Sequence, residues 1–171
     1  IFKWREFFVE KMEEYTKVTH SKLTNGREKF SFVYKPSILG DQDVFEILKQ
    51  NRAKDVKFQT TSKGVHRDEF VFYINDREVS SFGSQGQQRT TALSLKLAEI
   101  DLMEEITGET PILLLDDVMS ELDNDRQLFL LHAIKGRAQT FITTTTLKHL
   151  NEVKVDAKIF KIQEGRAEEL S

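Results

Sequence analysis

The chain has 171 residues, 39% hydrophobic and 31% charged, the balance of one ordinary globular domain or of a piece of a larger protein. It has no cysteine, which excludes disulfides, thiolate metal sites and cysteine nucleophiles and fits a reducing, cytoplasmic setting. The formal net charge of −3 excludes a uniformly basic coat for nucleic acid, so any DNA contact must come from a local patch. No apolar run approaches the roughly 20 residues of a membrane span.

In chain order, Ile1, Trp4, Phe8, Met12 and Tyr15 recur at three- and four-residue steps, which predicts an amphipathic helix with a core-facing stripe, ended by Asn25-Gly26. Phe30, Phe32 and Tyr34 alternate with Ser31 and Val33 and predict a strand, stopped by Pro36. Residues 41–55 read as a helix with Val44, Ile47 and Leu48 on one face. From 49 to 67 the charge is lopsided, with Lys49, Arg52, Lys54, Lys57, Lys63 and Arg67 against Asp55. Such a run is ordinarily a solvated face, yet it is the best candidate in this chain for phosphate contacts with DNA. His66-Arg67-Asp68 follows Gly64 in an expected loop, where the histidine reads as a packing element. No nucleophile partner for it is evident, so a hydrolase triad is rejected. Residues 69–74 and 77–81 flank Asn75-Asp76 and predict a tight hairpin.

The hairpin feeds Phe82-Gly83-Ser84-Gln85-Gly86-Gln87-Gln88-Arg89-Thr90, a small-residue turn that opens a helix. Gly83 and Gly86 are expected to take positive φ and to admit a ligand close to the backbone. Ser84 can cap the helix or offer its hydroxyl. The unpaired first N–H groups and the positive dipole end make an anion site there, although an ordinary capped helix carries the same pattern. The helix itself is expected over 90–106, with Leu93, Leu97, Ile100 and Glu104 in line. Leu95, Leu102 and Met103 make its other faces apolar too, so it should be largely buried, and Thr107-Gly108 should end it.

Pro111 precedes four aliphatics, Ile112 to Leu115, and then Asp116-Asp117. That predicts a strand of a parallel sheet, buried on both faces. Its carboxylates lie at the carboxyl end, where open α/β sheets place ligands. One can face Mg²⁺, a hard cation that prefers oxygen, and the other a water; a solvated acidic turn is the plain alternative. After Ser120-Glu121-Leu122-Asp123, residues 124–135 predict a helix with Leu128, Leu131 and Ile134 inward, ended by Gly136. A strand over 140–143 runs into the threonines Thr143 to Thr146, a strand over 157–163 follows, and the acidic tail 166–171 is expected to fray.

The series Ser-x-Gly-Gln turn, helix, aliphatic strand, acidic pair and Ser-x-Leu-Asp resembles the signature, Walker B and D-loop series of ABC-type ATPases. Gly64-Val65-His66-Arg67-Asp68-Glu69, the Ser-Gln-Gly-Gln-Gln-Arg-Thr form and Asp-Asp in place of Asp-Glu narrow the resemblance to the RecF family, relatives of the SMC proteins. It covers most of the chain and is tightest from Gly64 to Thr146. The resemblance implies an α/β fold: the C-terminal part of an ABC/SMC-like P-loop ATPase head with a parallel sheet core, plus part of a helical and α+β arm. Residues 1–63 would belong to the arm and 64–171 to the head. It implies nucleotide contacts from Ser84, Gly86, Gln87, Asp123 and Thr144, Mg²⁺ on Asp116, and activation of the attacking water by Asp117. ABC-type ATPases carry a histidine at the strand end where Thr144 is placed; the RecF family departs in the same way. The phosphate loop G-x-x-x-x-G-K-[ST] is absent and the sequence starts on Ile1, so the chain is expected to be a C-terminal half that needs its N-terminal half to hold ATP and Mg²⁺. The family further implies an ATP-dependent homodimer, gapped, single- or double-stranded DNA, and the partners RecR and RecO. Competing readings are an inert interaction module, the head of another SMC-like ATPase, and a transporter ATPase.

Overall fold

The computed structural model describes residues 2–153 and 156–170. The chain divides into two compact units, Ile1–Glu109 and Thr110–Ser171.

The first unit is built on two long helices and a three-stranded sheet. Helix α1 spans Phe2–Leu23, and Asn25 and Gly26 end it in the left-handed region, at φ 51° and 70°. Only its C-terminal half is a core face: Met12, Thr16, Thr19, His20 and Leu23 are buried. The expected stripe fails before that point, since Trp4 is 72% exposed and Phe8 is also exposed; Ile1 lies outside the described residues. The physical reason is the reach of the packing partner. Helix α4, Gln85–Thr107, is bonded to α1 through Lys11–Glu105 and His20–Ser94, and Val9 packs against the core they enclose. Met12, Ala98 and Leu102 pack there with Phe30 and Phe32.

Those phenylalanines come from β1, Phe30–Lys35, which pairs antiparallel with β2, Glu69–Ile74, from Phe30 opposite Ile74 to Lys35 opposite Glu69. This pairing joins residues on both sides of the expected 63/64 division. Asn75 and Asp76, both at positive φ, turn the chain into β3, Arg77–Glu78, as a primed hairpin turn requires. The second hairpin strand was expected to run to Ser81, but Val79–Phe82 form a short helix, α3. Local bonds win over the sheet ladder: the hydroxyls of Ser80 and Ser81 donate to the Glu78 carboxylate, and the Gly83 N–H donates to the Val79 carbonyl at 3.0 Å. Helix α2, Val44–Phe58, is capped by Asp43, whose carboxylate accepts from the N–H of Phe45 at 2.9 Å. It buries no residue fully; Val44 and Ile47 are half-buried, while Leu48, expected on the same inward face, is exposed.

The second unit holds β4, Leu113–Leu115, parallel to β5, Thr140–Ile142, with Leu113 opposite Thr140. Burial on both faces was expected for β4, yet only Leu115 is buried. Ile112, Leu114 and Phe141 are 61%, 73% and 57% exposed, because this sheet has two strands among the described residues and one of its faces is left uncovered. Helix α5, Asn124–Ile134, buries Gln127, Leu130, Leu131 and Ile134, with Leu128 half-buried at the edge of that face. Helix α6, Lys148–Val153, packs on α5 and was not foreseen. Strands β6, Ile159–Gln163, and β7, Arg166–Leu170, pair antiparallel about Glu164-Gly165. The tail expected to fray is therefore a strand, and two left-handed residues, at φ 49° and 75°, supply its hairpin turn. Among the described residues, no helix is long and apolar enough to cross a membrane.

Candidate nucleotide site

In the first unit, Ser84 is the N-cap of α4 at φ −61° and ψ 159°. Its hydroxyl accepts from the Gln87 N–H at 3.2 Å, and the Gln87 side-chain oxygen accepts from the Ser84 N–H at 3.0 Å, a complete capping box. The Gln88 side-chain amide donates to the carbonyls of Val79 and Gly83, at 3.4 and 3.2 Å, and fastens α3 to the turn.

The two glycines of this turn differ. Neither has positive φ, contrary to expectation. A Cβ on Gly83 would lie 2.5 Å from the Val79 carbonyl oxygen, so the fold itself requires glycine there. A Cβ on Gly86 would meet only the Ser84 hydroxyl, at 3.9 Å. Gly86 sits in the first turn of α4, where helix geometry leaves its N–H without an intrahelical partner. Nothing in this unit needs glycine at 86, and glycine weakens a helix relative to alanine. The residue type fits close approach by something outside the unit, and an anion is what a helix N-terminus attracts.

In the second unit, β4 ends at Leu115 and the Thr143 N–H donates to the Leu115 carbonyl at 3.0 Å. This carries the parallel register one residue past the strands and sets Thr143 beside the carboxylates. The Thr143 hydroxyl donates to Asp116 Oδ1 at 2.6 Å and accepts from the Asp117 N–H at 2.9 Å. Asp117 adopts the left-handed conformation at φ 53°, so the chain leaves the sheet there and the two carboxylates are freed from strand alternation. Both are exposed. Asp123 accepts from the Arg126 N–H at 3.0 Å and caps α5; its carboxylate also pairs with the Arg126 guanidinium. The Thr144 hydroxyl donates to the Thr146 carbonyl at 3.0 Å and accepts from the Thr146 N–H at 3.2 Å. Among the described residues there is no cluster of three or more histidine and acidic side chains that could hold a metal alone. Asp116 suits Mg²⁺ in the way that ion is usually held, by one or two carboxylates together with substrate phosphates and waters.

The basic run separates into two parts. Lys49, Arg52, Lys54 and Lys57 are exposed on α2, Lys49 beside Glu46 at 3.5 Å and Lys57 over the Phe58 ring at 5.7 Å. Lys63 and Arg67 instead hold backbone: Lys63 Nζ donates to the Ser37 carbonyl at 3.4 Å and Arg67 Nε to the Thr61 carbonyl at 2.7 Å. His66 is likewise placed against the Thr61 carbonyl, at 3.3 Å.

Sequence reasoning missed Thr143 as the partner of Asp116, although placing the ends of the two parallel strands side by side would have found it. It also gave Asp68 no role. The Asp68 side chain is 1% exposed and accepts from Arg5 at 2.7 Å, the Tyr34 hydroxyl at 2.6 Å and the Ser37 N–H at 2.8 Å, joining α1 to the sheet and its following loop. Burial pushes the Asp68 carboxyl up, but these donors outweigh it and hold it below the usual carboxylate range. Ser94, His20 and Glu28 form a serine–histidine–carboxylate row, yet Ser94 and His20 are wholly buried and no substrate reaches them.

Solved structures of the recombination mediator protein RecF in the RecFOR pathway resemble this chain. RecF-ATPrS covers 99% of the chain at TM-score 0.78 and RecF-ATP 98% at 0.74, each with 35% sequence identity. The chain thus has the α/β fold of part of an ABC/SMC-like ATPase head, with β4 and β5 as its parallel pair. No family model matches it. Among curated proteins, the DNA replication and repair protein RecF of Lactococcus lactis is 49% identical over 165 residues, 96% of this chain and 46% of that protein. RecF of Enterococcus faecalis is 46% identical over 172 residues and RecF of Streptococcus pneumoniae 50% over 166. The chain belongs to the RecF family and matches its C-terminal half. It spans about half the length of the curated relatives it matches.

Proposed function

We propose that the full-length protein is an ATP-gated, DNA-binding dimer that helps load recombinase at gaps and stalled forks, and that this chain supplies the lid and the magnesium carboxylate of its nucleotide site. The observation that carries the reading is Gly86, a glycine that its own unit does not need, in the first turn of a capped helix. ATP bound to one subunit's phosphate loop is covered by the other subunit's signature turn. The Ser84 hydroxyl and Gly86 N–H contact the γ-phosphate, with Gln87, Asp123 and Thr144 nearby. Only the γ-phosphate state offers those contacts, so ATP favours the dimer and hydrolysis releases it.

Asp116, steadied by Thr143, would hold Mg²⁺, which would supply positive charge to the phosphates, and Asp117 would orient or deprotonate the attacking water. Asp is one methylene shorter than the Glu usual in ABC-type ATPases, so turnover is slow, as suits a switch. The isolated chain is inactive because the phosphate loop lies in the N-terminal half. Residues 1–63 belong to an arm and 64–171 to the ATPase head of the complete protein. The exposed cations Lys49, Arg52, Lys54 and Lys57 of α2 contact DNA phosphates, with Lys63 and Arg67 shaping the adjoining loop. RecR and RecO are its partners, and it works in the cytoplasm. A full-length Ser84→Arg variant tests the reading: it should bind ATP as a monomer and fail to dimerise, by sedimentation with and without ATP. An intact ATP-driven dimer would refute the trans contact.

A further inference from the structure

The signature turn is tied to helix α1 by a closed ring of hydrogen bonds. One arm runs inside α4: the Ser94 hydroxyl donates to the Thr90 carbonyl at 2.7 Å, and the Thr90 hydroxyl to the Gly86 carbonyl at 2.7 Å. The other arm leaves α4. Ser94 Oγ lies 3.0 Å from His20 Nδ1, and His20 Nε2 lies 3.0 Å from a Glu28 oxygen. The second Glu28 oxygen accepts from the Gln87 side-chain amide at 3.0 Å, and the Gln87 oxygen accepts from the Ser84 N–H at 3.0 Å. His20 is wholly buried and its ring lies against Phe30, 5.3 Å between centroids, so this end of the ring is anchored in the core.

The donor inventory fixes how Gln87 must sit. A carboxylate only accepts, so Glu28 takes the Gln87 NH₂ and leaves the Gln87 oxygen to face Ser84. Facing a carboxylate that can only accept, His20 carries a proton on Nε2. Without Glu28, the Gln87 amide is free to swing into solvent or to flip, and the Ser84 turn loses half of its capping box. A turn held in one geometry before its partner arrives avoids the ordering cost on closure.

We propose that Glu28, seated on His20, is a positioning residue for the signature turn: it orients Gln87 so that Ser84 and the Gly86 N–H are aimed before the nucleotide-bearing subunit docks. This rests on the reading of Ser84 as a trans contact. The test is the dimer dissociation constant of the full-length protein at saturating ATP, measured by sedimentation on variants shown to be folded by circular dichroism. Glu28→Ala should weaken the dimer roughly fivefold per turn, the worth of about one hydrogen bond. Two turns in a two-fold dimer make that about 25-fold. ATP binding to the monomer should be unchanged. Glu28→Gln keeps an oxygen for Gln87, with the amide NH₂ facing the other tautomer of His20, and should restore the dimer to within about twofold of wild type. If Glu28→Ala does not fold, Glu28→Asp replaces it: a carboxylate one methylene shorter faces His20 but cannot span to Gln87, and the same weakening is expected. In a Gln87→Ala background the loss from Glu28→Ala should vanish, because the effect travels through Gln87. A loss that persists in that background, or a Glu28→Ala dimer as tight as wild type while Ser84→Arg abolishes dimerisation, overturns the positioning role. A Ser84→Arg protein that still dimerises overturns the underlying reading instead.

Discussion

Replacing Gly86 by alanine should push fold and function in opposite directions. In the structure the added methyl lies in open space, 3.9 Å from the Ser84 hydroxyl, within the first turn of α4. Alanine removes the conformational entropy that glycine loses on folding, about 0.5 kcal/mol at the low end of the usual range because the site is in the first turn. For a unit of roughly 100 residues that raises the melting temperature by about 2–4 °C. The same methyl stands where a phosphate oxygen must approach the Gly86 N–H. Losing one hydrogen bond to a charged group costs about 1.5–3 kcal/mol, which weakens the ATP-dependent dimer of the full-length protein by roughly 10–100-fold per turn, or about 10²–10⁴-fold for the two turns of a two-fold dimer. Calorimetric melting of the variant and sedimentation with ATP measure the two effects on one preparation. A lower melting temperature would refute the described backbone at Gly86, and a dimer of undiminished affinity would refute the close approach.

Asp68→Asn should destabilise the first unit by about 2–3 kcal/mol in urea titrations, since an NH₂ group would replace an oxygen that three donors now face. Because the folded-state carboxyl titrates below its unfolded value, its contribution is complete above an unfolded value near 4 and is lost as pH falls through the folded value. Asp68→Asn should flatten that acid limb, and an unchanged pH profile would contradict the three-donor account. Thr143→Val removes the hydroxyl that bridges Asp116 and the Asp117 N–H; full-length enzyme should then need several-fold more Mg²⁺ for half-maximal turnover, whereas an unaltered Mg²⁺ titration would count against the bridge. Asp117→Asn should dimerise with ATP yet hydrolyse it about 10²–10⁴-fold more slowly in single-turnover assays, and unchanged turnover would remove the base assignment.

Local signals were legible in the sequence where one residue's chemistry decides the structure. Ser84 reads as a helix cap, Asn75-Asp76 as a tight hairpin turn and Gly108 as a helix end, and each is present. The aliphatic run before Asp116 predicted a strand of a parallel sheet, and β4 is one; that β5 is its partner came from the structure. What sequence could not supply was the extent of each packing partner. The α1 stripe looks uniform from Trp4 to Tyr15, but the core it packs on with α4 is met at Val9 and Met12, and Trp4 stays exposed. Leu114 reads as a core residue because an aliphatic run in a strand is core-like, while burial depends on what lies over the sheet. Long-range polar links were hidden for a related reason. Glu28 and Gln87 are 59 positions apart, and Asp68 collects donors from Arg5, Tyr34 and Ser37, pairings that no local pattern encodes. Thr143 and Thr144 are equivalent as sequence, and only the strand register separates the one that holds Asp116 from its neighbour.

Mixing two defective full-length proteins tests the shared-site account most directly. One carries Ser84→Arg and an intact phosphate loop; the other has intact Ser84, Asp116 and Asp117 and a disabled phosphate loop. Each alone should be inactive. A mixed dimer has one complete site, so hydrolysis should return on mixing, toward half the wild-type rate per dimer. Activity no greater than the sum of the two proteins measured separately would mean that Ser84 serves its own subunit's nucleotide, and would contradict the account.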